Sequence, residues 1–280
     1  MSKHDDQPAP APEPLPRPTI DAHTHLASTV RRAGWTVDEI LAMARRGGVD
    51  KVVDVGWDVP SSRQALAEAE AHREVVACVA IHPSDAAELG QGLDAELARL
   101  EALVGSSPLV RGVGETGLDY YWVKDEAGRA RQRRAFAAHI AWAKQRRLPL
   151  VIHDRDAHAD VLDVLDGEGW PDQVMMHCFS GDADFARQCL DRGACLSFPG
   201  TVTFKPNEAL REALDVTPAD RMLVETDAPY LTPMPYRGRP NAPYLVPLTV
   251  RFMAERLGRD LAELCDTLRG NAERLFGSWG

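Results

Sequence analysis

Residues 75–82 read VVACVAIH, an apolar run that closes on a histidine. A strand with one face in water alternates apolar and polar residues, whereas this run is apolar up to its last position. It therefore predicts a strand buried on both faces, as in a parallel sheet. The segments KVVDVG (51–56) and LPLVIH (148–153) have a similar character.

Runs of this kind occur eight times and alternate with amphipathic segments. They are Thr19–Leu26, Val49–Gly56, Val75–His82, Leu109–Glu115, Leu148–His153, Gln173–Phe179, Ala194–Phe198 and Met222–Asp227. Capping boxes at Thr36-x-x-Glu39 and Ser61-x-x-Gln64 mark the start of two intervening helices. Eight strand–helix units in about 260 residues predict an α/β protein with a (β/α)₈ TIM barrel. The alternative is an open doubly wound sheet, which normally has a glycine-rich turn where this chain has His23-Thr-His25.

The composition is that of a globular protein without a membrane span. The 280 residues are 44% hydrophobic with a formal net charge of −10, which argues against coating nucleic acid or membranes through bulk positive charge. No segment reaches the ~18 uninterrupted apolar residues of a transmembrane helix. The five cysteines include no C-x-x-C pair, so we expect a reducing, cytoplasmic location.

The amino-terminal residues differ from the rest because every second residue from Pro8 to Pro18 is proline. Alternating proline can form neither a helix nor an inner strand. We therefore expect a disordered, mobile Pro-rich leader over residues 1–18. A single TIM-barrel domain of the metal-dependent hydrolase type is expected over residues 19–280.

Histidines and carboxylates stand where the predicted strands end. Strand 1 ends in His23-Thr-His25, and residues i and i+2 of a strand share a face, so both imidazoles can point into the barrel mouth and chelate a divalent cation. Barrel enzymes place their chemistry at the carboxyl ends of the strands. Four more such ends supply the remaining ligands of a predicted site for two metal ions: Glu115, His153, His177 and Asp227.

Eight segments together resemble the TatD family of metal-dependent deoxyribonucleases, one of the amidohydrolase-like barrels. They are DAHTHL, AIHP, GETGLDYY, VIHDRDA, MHCFSGD, VETDAPYLTP, RGRPNAP and GNAERLFG, in this order over residues 19–277. The resemblance implies that His23, His25 and Asp227 hold one metal ion and that His153 and His177 hold the other. It also implies that Glu115 bridges the two ions and that Glu115 and Asp227 are the catalytic residues.

Other polar residues near the strand ends are candidates for substrate binding. His82 ends the third strand, Arg155 follows the fifth, and Arg239 lies in Arg237-Gly-Arg239 after the last. A guanidinium group can hold a phosphate through two parallel hydrogen bonds, so we expect His82, Arg155 and Arg239 to contact substrate. Glu225 shares a strand face with Asp227 and is expected to support a metal ligand from behind.

Three further residues are expected to lie outside the site. Strand alternation turns Cys178 away from the barrel mouth and into the helix layer. His72 and His139 fall in predicted helices and are expected to face solvent.

The expected reaction is hydrolysis of phosphodiester bonds in single-stranded DNA or short oligonucleotides, trimmed from the 3′ end through a metal-activated hydroxide, with Asp227 taking or orienting its proton. The acidic net charge favours such a small footprint over a nuclease that follows a duplex along a basic track. Two alternatives remain open. One is a D-aminoacyl-tRNA deacylase or other ester or amide hydrolase at the same dinuclear site, and the other is a non-catalytic barrel that acts as a binding module.

The ligand types bear on the identity of the metal ions. Histidine-rich ligand sets suit Zn²⁺ and Mn²⁺, whereas Mg²⁺ prefers oxygen ligands. The family resemblance implies Mg²⁺, so Zn²⁺, Mn²⁺ and Mg²⁺ are all candidates for the two metal ions. We expect a monomer with no membrane partner.

Overall fold

Eight parallel strands form one sheet in the structure, a computed structural model that describes residues 7–280. The strands are β1 Thr19–Thr24, β2 Val49–Val55, β3 Val75–Val79, β4 Val110–Asp119, β5 Leu150–Arg155, β6 Val174–Met176, β7 Cys195–Phe198 and β8 Met222–Val224. They are hydrogen-bonded in chain order, each parallel to the next. This confirms the predicted α/β barrel.

Helices connect the strands and cover the outside of the sheet. Within residues 7–280 they are α1 Leu26–Ala33, α2 Val37–Arg46, α3 Val59–Ala71, α4 Pro83–Glu88, α5 Leu93–Glu101, α6 Glu126–Arg146, α7 His158–Glu168, α8 Ala183–Asp191, α9 Glu208–Val216, α10 Val246–Leu257 and α11 Leu261–Phe276. None of these helices has the length and apolarity needed to cross a membrane.

The first and last strands meet and nearly close the barrel. Thr24 and Ala228 form a parallel bridge, and the Asp227 amide donates to the His23 carbonyl oxygen at 3.0 Å. Below this contact, buried Asp21 accepts hydrogen bonds from the Thr226 amide (2.9 Å) and hydroxyl (2.5 Å). Closure therefore brings the ends of β1 and β8 together.

Alternation along the strands sorts their side chains into two cores. Val52 and Val75 pack outward against the helices, whereas Val53 and Val76 belong to a second core inside the barrel. The inner core also includes Ala272, Leu275, Phe276 and Trp279 from the carboxyl terminus of the chain. The end of α11 and the residues after it therefore fill the amino-terminal end of the barrel, and the opposite end is left for the site.

The predicted helix starts are right at α2 and displaced at α3. Thr36 and Glu39 form the predicted capping box. At α3 the cap is Asp58, whose side chain accepts from the Ser61 amide at 2.7 Å while Ser61 Oγ accepts from the Asp58 amide at 3.0 Å. The helix starts before Ser61 because Pro60, which cannot donate a backbone hydrogen bond, fits its first turn.

The described part of the predicted leader, residues 7–18, lies against the barrel. It has no helix or strand, as its prolines dictate, but Ala9 and Leu15 are buried. The Leu15 amide donates to the Gly47 carbonyl oxygen at 3.0 Å, and the Tyr244 hydroxyl donates to the Ala9 carbonyl oxygen at 2.8 Å. The apolar side chains between the prolines are buried against the barrel, which the sequence pattern does not predict. Residues 1–6 of the predicted leader lie outside the described residues.

Candidate active site

The six predicted ligands converge at the carboxyl end of the barrel. They come from the ends of five strands: His23 and His25 from β1, Glu115 from β4, His153 from β5, His177 from the residue after β6, and Asp227 from the turn after β8. Three overlapping groups of these side chains, one of which also includes His82, have ligand atoms within 4.8 Å of one another. The barrel thus joins residues that are separated by up to two hundred positions in the chain.

The ligand atoms can be divided by the Glu115 oxygen that they face. The set at Oε1, here called the β1–β8 cluster, contains His23, His25 and Asp227. The two histidine Nε2 atoms are 3.4 Å apart, and His25 Nε2 lies 3.3 Å from Glu115 Oε1 and 3.5 Å from Asp227 Oδ1. His23 Nε2 lies 3.9 Å from each of the same two oxygens. Four ligands at about 2.1 Å from a tetrahedral ion are separated by about 3.4 Å, so the spacing suits one divalent cation.

The set at Glu115 Oε2, here called the β5–β6 cluster, contains His153 and His177. Glu115 Oε2 lies 2.8 Å from His177 Nε2 and 3.4 Å from His153 Nδ1. The His177 and His23 rings stack with centroids 3.8 Å apart, so the two clusters are adjacent. Glu115 therefore presents one oxygen to each cluster.

Hydrogen bonds on the outer ring nitrogens select the tautomers. His25 Nδ1 donates to the Val55 carbonyl oxygen at 2.7 Å, and His177 Nδ1 donates to Glu225 Oε1 at 3.3 Å. His153 uses its other nitrogen, because Nε2 donates to Asp119 Oδ2 at 3.1 Å. In each ring the remaining nitrogen faces Glu115 and is the one that a metal ion would bind. This is the arrangement by which proteins orient histidine ligands.

His82 differs from these three rings because its protonated nitrogen faces the cluster. Its Nδ1 accepts a hydrogen bond from the Ser84 amide at 3.1 Å, so in the neutral ring the proton is on Nε2. That nitrogen lies 3.9 Å from Glu115 Oε2. Burial and the neighbouring His153 lower the pKa of His82 to about 3 and keep the ring neutral. His82 therefore offers an N–H donor to the β5–β6 cluster rather than a lone pair.

The charges in the clusters are mutually dependent. Burial favours a protonated Glu115, but the charge of His177 outweighs it and holds the pKa of this carboxyl well below its usual range. Burial likewise opposes a charge on His177, but Glu115 and Glu225 raise its pKa to about 10. Protons on the imidazoles thus balance the negative charge of the carboxylates. A divalent cation bound here would balance that charge instead, and the imidazoles would release their protons.

The donor set fits divalent metal ions. Buried His177 Nε2 makes no hydrogen bond of acceptable geometry although it points into the cluster. Imidazoles and carboxylates are ligands that Zn²⁺ and Mn²⁺ accept. The chain therefore has candidate metal-binding clusters at the carboxyl end of its barrel.

A cavity of about 840 Å³ opens over both clusters. The predicted residues His82 and Arg155 line it, together with aromatic residues that the sequence analysis does not single out: Trp57, Trp122 and Tyr230. Asp119, which accepts a hydrogen bond from His153, also lines the cavity and is not predicted as a site residue from the sequence. Its spacing of four residues from Glu115 on one strand is a signal that could have indicated it, because i and i+4 share a face.

Arg239 is placed differently from the expectation. It is not among the residues that line the cavity. Its guanidinium donates to the Pro8 carbonyl oxygen at 3.3 Å, and its own carbonyl oxygen accepts from the Thr232 hydroxyl. The Arg239 side chain therefore contacts the leader.

Cys178 and the two helical histidines also depart from expectation. Cys178 has a φ of +44° and lines the cavity, because strand alternation stops where the backbone turns left-handed after β6. His139 is fully buried and accepts from the Ile81 amide through Nε2 at 3.0 Å. His72 is half-buried beside the carboxylates of Asp38 and Glu68.

Comparison with known proteins gives a consistent assignment. Residues 20–277 match the model of the family described as TatD related DNase. The chain is 48% identical over 261 residues to an uncharacterized metal-dependent hydrolase TatD of Mycobacterium tuberculosis, covering 92% of this chain and 97% of that protein. It is 37% identical over 247 residues to a 3′-5′ ssDNA/RNA exonuclease TatD of Cronobacter sakazakii, covering 85% and 91%.

Solved structures agree in fold. The crystal structure of YjjV, a TatD homologue from Escherichia coli K12, superposes with a TM-score of 0.84 at 27% identity and covers 93% of this chain and 98% of its own. The match thus extends over the whole barrel and includes every strand that carries a cluster residue. On this similarity, the chain belongs to the TatD related DNase family.

Proposed function

We propose that this protein is a metal-dependent hydrolase that removes nucleotides from the 3′ end of single-stranded DNA or short oligonucleotides. The observation that carries the proposal is the position of Glu115, whose two oxygens face two separate histidine-containing clusters. Enzymes that hydrolyse phosphodiesters by in-line attack commonly use two cations that share a carboxylate. A relative named as a 3′-5′ ssDNA/RNA exonuclease supports this choice of substrate.

The clusters would hold two divalent ions. His23, His25, Asp227 and Glu115 Oε1 would hold one, and His153, His177 and Glu115 Oε2 the other. Bound cations would supply an activated water near neutral pH and a Lewis acid for the phosphoryl oxygens. The nitrogen-rich donor set favours Zn²⁺ or Mn²⁺ over Mg²⁺.

The protein's own groups would bind the phosphate and move the proton. Asp227 is the most accessible carboxylate of the β1–β8 cluster, with 14% of its side chain exposed against 7% for Glu115, and it would accept the proton of the attacking water. His82 would donate its Nε2 hydrogen to a phosphate oxygen. Arg155, which forms no ion pair with any carboxylate of residues 7–280, would hold a second oxygen. Glu225 would fix the orientation of the His177 ring through Nδ1.

We also propose that the enzyme acts as a monomer in the cytoplasm. All five cysteines are free, as suits a reducing compartment. Size-exclusion chromatography with light scattering at micromolar concentration should give the mass of one chain, 30.8 kDa.

The test combines elemental analysis with two substrates. Protein loaded with Zn²⁺, Mn²⁺ or Mg²⁺ is given a 5′-labelled single strand and, separately, a D-aminoacyl-tRNA. We expect two metal equivalents and stepwise shortening of the strand from its 3′ end, which chelation abolishes. The Asp227→Asn variant should lower kcat at least 100-fold, the range for loss of a general base. Hydrolysis of the ester alone would replace the nuclease assignment with a deacylase. Turnover unchanged in Asp227→Asn would point to a non-catalytic barrel with contaminating activity.

A further inference from the structure

Among the described residues 7–280, the exposed aromatic side chains lie at the rim of the active-site cavity. Within residues 7–280 the large apolar side chains that are exposed are Trp122 (66%), Tyr230 (57%), Tyr121 (45%) and Met234 (37%). All four lie in the loops that follow β4 and β8, at the end of the barrel that carries the clusters. Exposed aromatic rings cost solvation free energy, so their concentration at one site indicates a ligand.

Tyr121, Trp122 and Arg155 form one side of the rim, here called the β4 wall. The Tyr121 and Trp122 rings meet edge to face with centroids 4.9 Å apart. The Arg155 guanidinium stacks 4.0 Å from the Tyr121 centroid and 5.7 Å from that of Trp122. These contacts hold the arginine beside the cavity and leave much of the Trp122 surface free.

Tyr230, in the segment after β8, forms the other side, here called the β8 wall, whereas Trp57 lies in the loop after β2. The His25 ring lies 5.4 Å from the Trp57 ring and 6.5 Å from the Tyr230 ring, in both cases edge to face. Arg31 covers the Trp57 ring at 5.8 Å. The β8 wall therefore stands directly beside the β1–β8 cluster.

The two walls face each other across the clusters. In a barrel of eight strands in chain order, the end of β8 is diametrically opposite the end of β4. Trp122 and Tyr230 both line the cavity that Glu115 also lines. A ligand that spans the clusters therefore meets an aromatic surface on each side.

We infer that each wall stacks one unpaired nucleobase, on either side of the phosphodiester bond that is cut. The inference rests on the proposed nuclease function and specifies how the substrate is held. Aromatic rings bind bases of any sequence through their faces, and the neighbouring arginines suit an anionic backbone. A base stacked on Trp122 or Tyr230 has to leave the double helix, so the walls select single strands.

The experiment compares two substrates of equal length and charge. One is a thymidine oligomer, and the other has abasic residues in its last three positions. Their kcat/KM values and their affinities, the latter by fluorescence anisotropy, are measured for the metal-loaded wild type, Trp122→Ala, Trp122→Phe and Tyr230→Ala. Trp170→Ala is the matched control, because Trp170 lies at the opposite end of the barrel, next to the start of β6.

We expect the wild type to prefer the base-bearing strand. Trp122→Ala and Tyr230→Ala should each reduce that preference about 5- to 100-fold, mainly through KM, which is the range for one base–aromatic stack. Trp122→Phe should restore most of it, and Trp170→Ala should leave it unchanged.

An equal effect of Trp122→Ala on both substrates, or none, would overturn the inference while the nuclease function stands. If the wild type cuts neither strand, the proposed function fails. The anisotropy data then decide whether the walls bind bases at all. No binding preference for the base-bearing strand would mean that the walls serve another partner.

Discussion

Individual residues in this site have roles set by which of their atoms is already engaged. His177 donates through Nδ1 to Glu225, so its Nε2 is left for a cation, whereas His82 accepts through Nδ1 and has a hydrogen on Nε2. The same residue type thus provides a ligand in one place and a donor in another. The sequence places both histidines at strand ends, but the distinction depends on their neighbours.

Removing the charge of Glu225 should weaken metal binding in the β5–β6 cluster. Glu225→Gln retains an acceptor for His177 Nδ1 but loses the negative charge that makes the ring a stronger ligand. We expect the affinity for one of two Mn²⁺ or Zn²⁺ ions to fall about 10- to 100-fold, measured by calorimetric titration of the apoprotein. Glu101→Gln, an exposed change in α5, is the control. Equal affinities in wild type and Glu225→Gln would show that Glu225 has no influence on the cluster.

The buried imidazole of His139 should make stability depend on pH. Burial lowers the pKa of His139 to about 4, while in the unfolded chain it stays near 6.5. The unfolded chain therefore binds a proton at a higher pH than the folded protein does. The contribution of the neutral His139 to the free energy of unfolding is complete above pH 6.5 and is lost as the pH falls towards 4. It amounts to roughly 3 kcal/mol.

Urea unfolding of wild type and His139→Gln at pH 7 and pH 4.5 checks this. The wild type should be more stable at pH 7, and the difference in unfolding free energy should shrink at pH 4.5, because the variant has no group to titrate there. If wild type and variant differ by the same unfolding free energy at both pH values, His139 is not the group responsible for the pH dependence.

At the scale of single elements, β4 is the strand on which the site depends. It is the longest strand, at 10 residues, and it presents Glu115 and Asp119 to opposite sides of the His153 ring. Between them lies Gly117, with a φ of +138°, directly against the backbone of β5. Glycine is required here because a Cβ atom would overlap the His153 carbonyl oxygen.

Gly117→Ala should therefore destabilise the fold and displace a metal ligand. We expect a loss of about 3 kcal/mol or more in the free energy of unfolding, from backbone strain and overlap with β5. Gly167→Ala is a matched control, since it lies in α7 and a Cβ atom there would meet nothing within 4 Å. This control should gain about 0.5–1 kcal/mol. Similar stabilities of the two variants by urea unfolding would show that β5 yields to the new methyl group.

At the scale of the whole molecule, the charge distribution favours a short contact with nucleic acid. The formal net charge is −10, and positive charge beside the cavity is supplied by a few arginines such as Arg155 and Arg31. A protein of this kind neutralises few phosphates when it binds. Its affinity therefore depends on base stacking and on the metal site more than on ion release.

The salt dependence of substrate binding should accordingly be shallow. For single strands the slope of log affinity against log salt is about −0.7 for each neutralised phosphate, so two or three contacts give roughly −1.4 to −2.1. Anisotropy of a labelled 12-nucleotide strand between 50 and 300 mM KCl measures this slope. A slope of about −5 or steeper would indicate an extended basic track and a long footprint.

The sequence by itself determined the barrel and its reactive end. Apolar runs and capping residues act over a few neighbouring positions, so they predict strands, helices and the histidines and carboxylates that end the strands. The parallel order of the strands then requires those ends to meet, and the six predicted ligands do lie together.

Only the tertiary structure decided how these groups divide and what surrounds them. The split of Glu115 between two clusters, the burial of His139 and the docking of Leu15 depend on packing between residues far apart in the chain. The same is true of Trp122 and Tyr230, which become opposite walls only when the barrel closes. Local periodicity has no information on such contacts, because their geometry is set by the complete set of helices and strands.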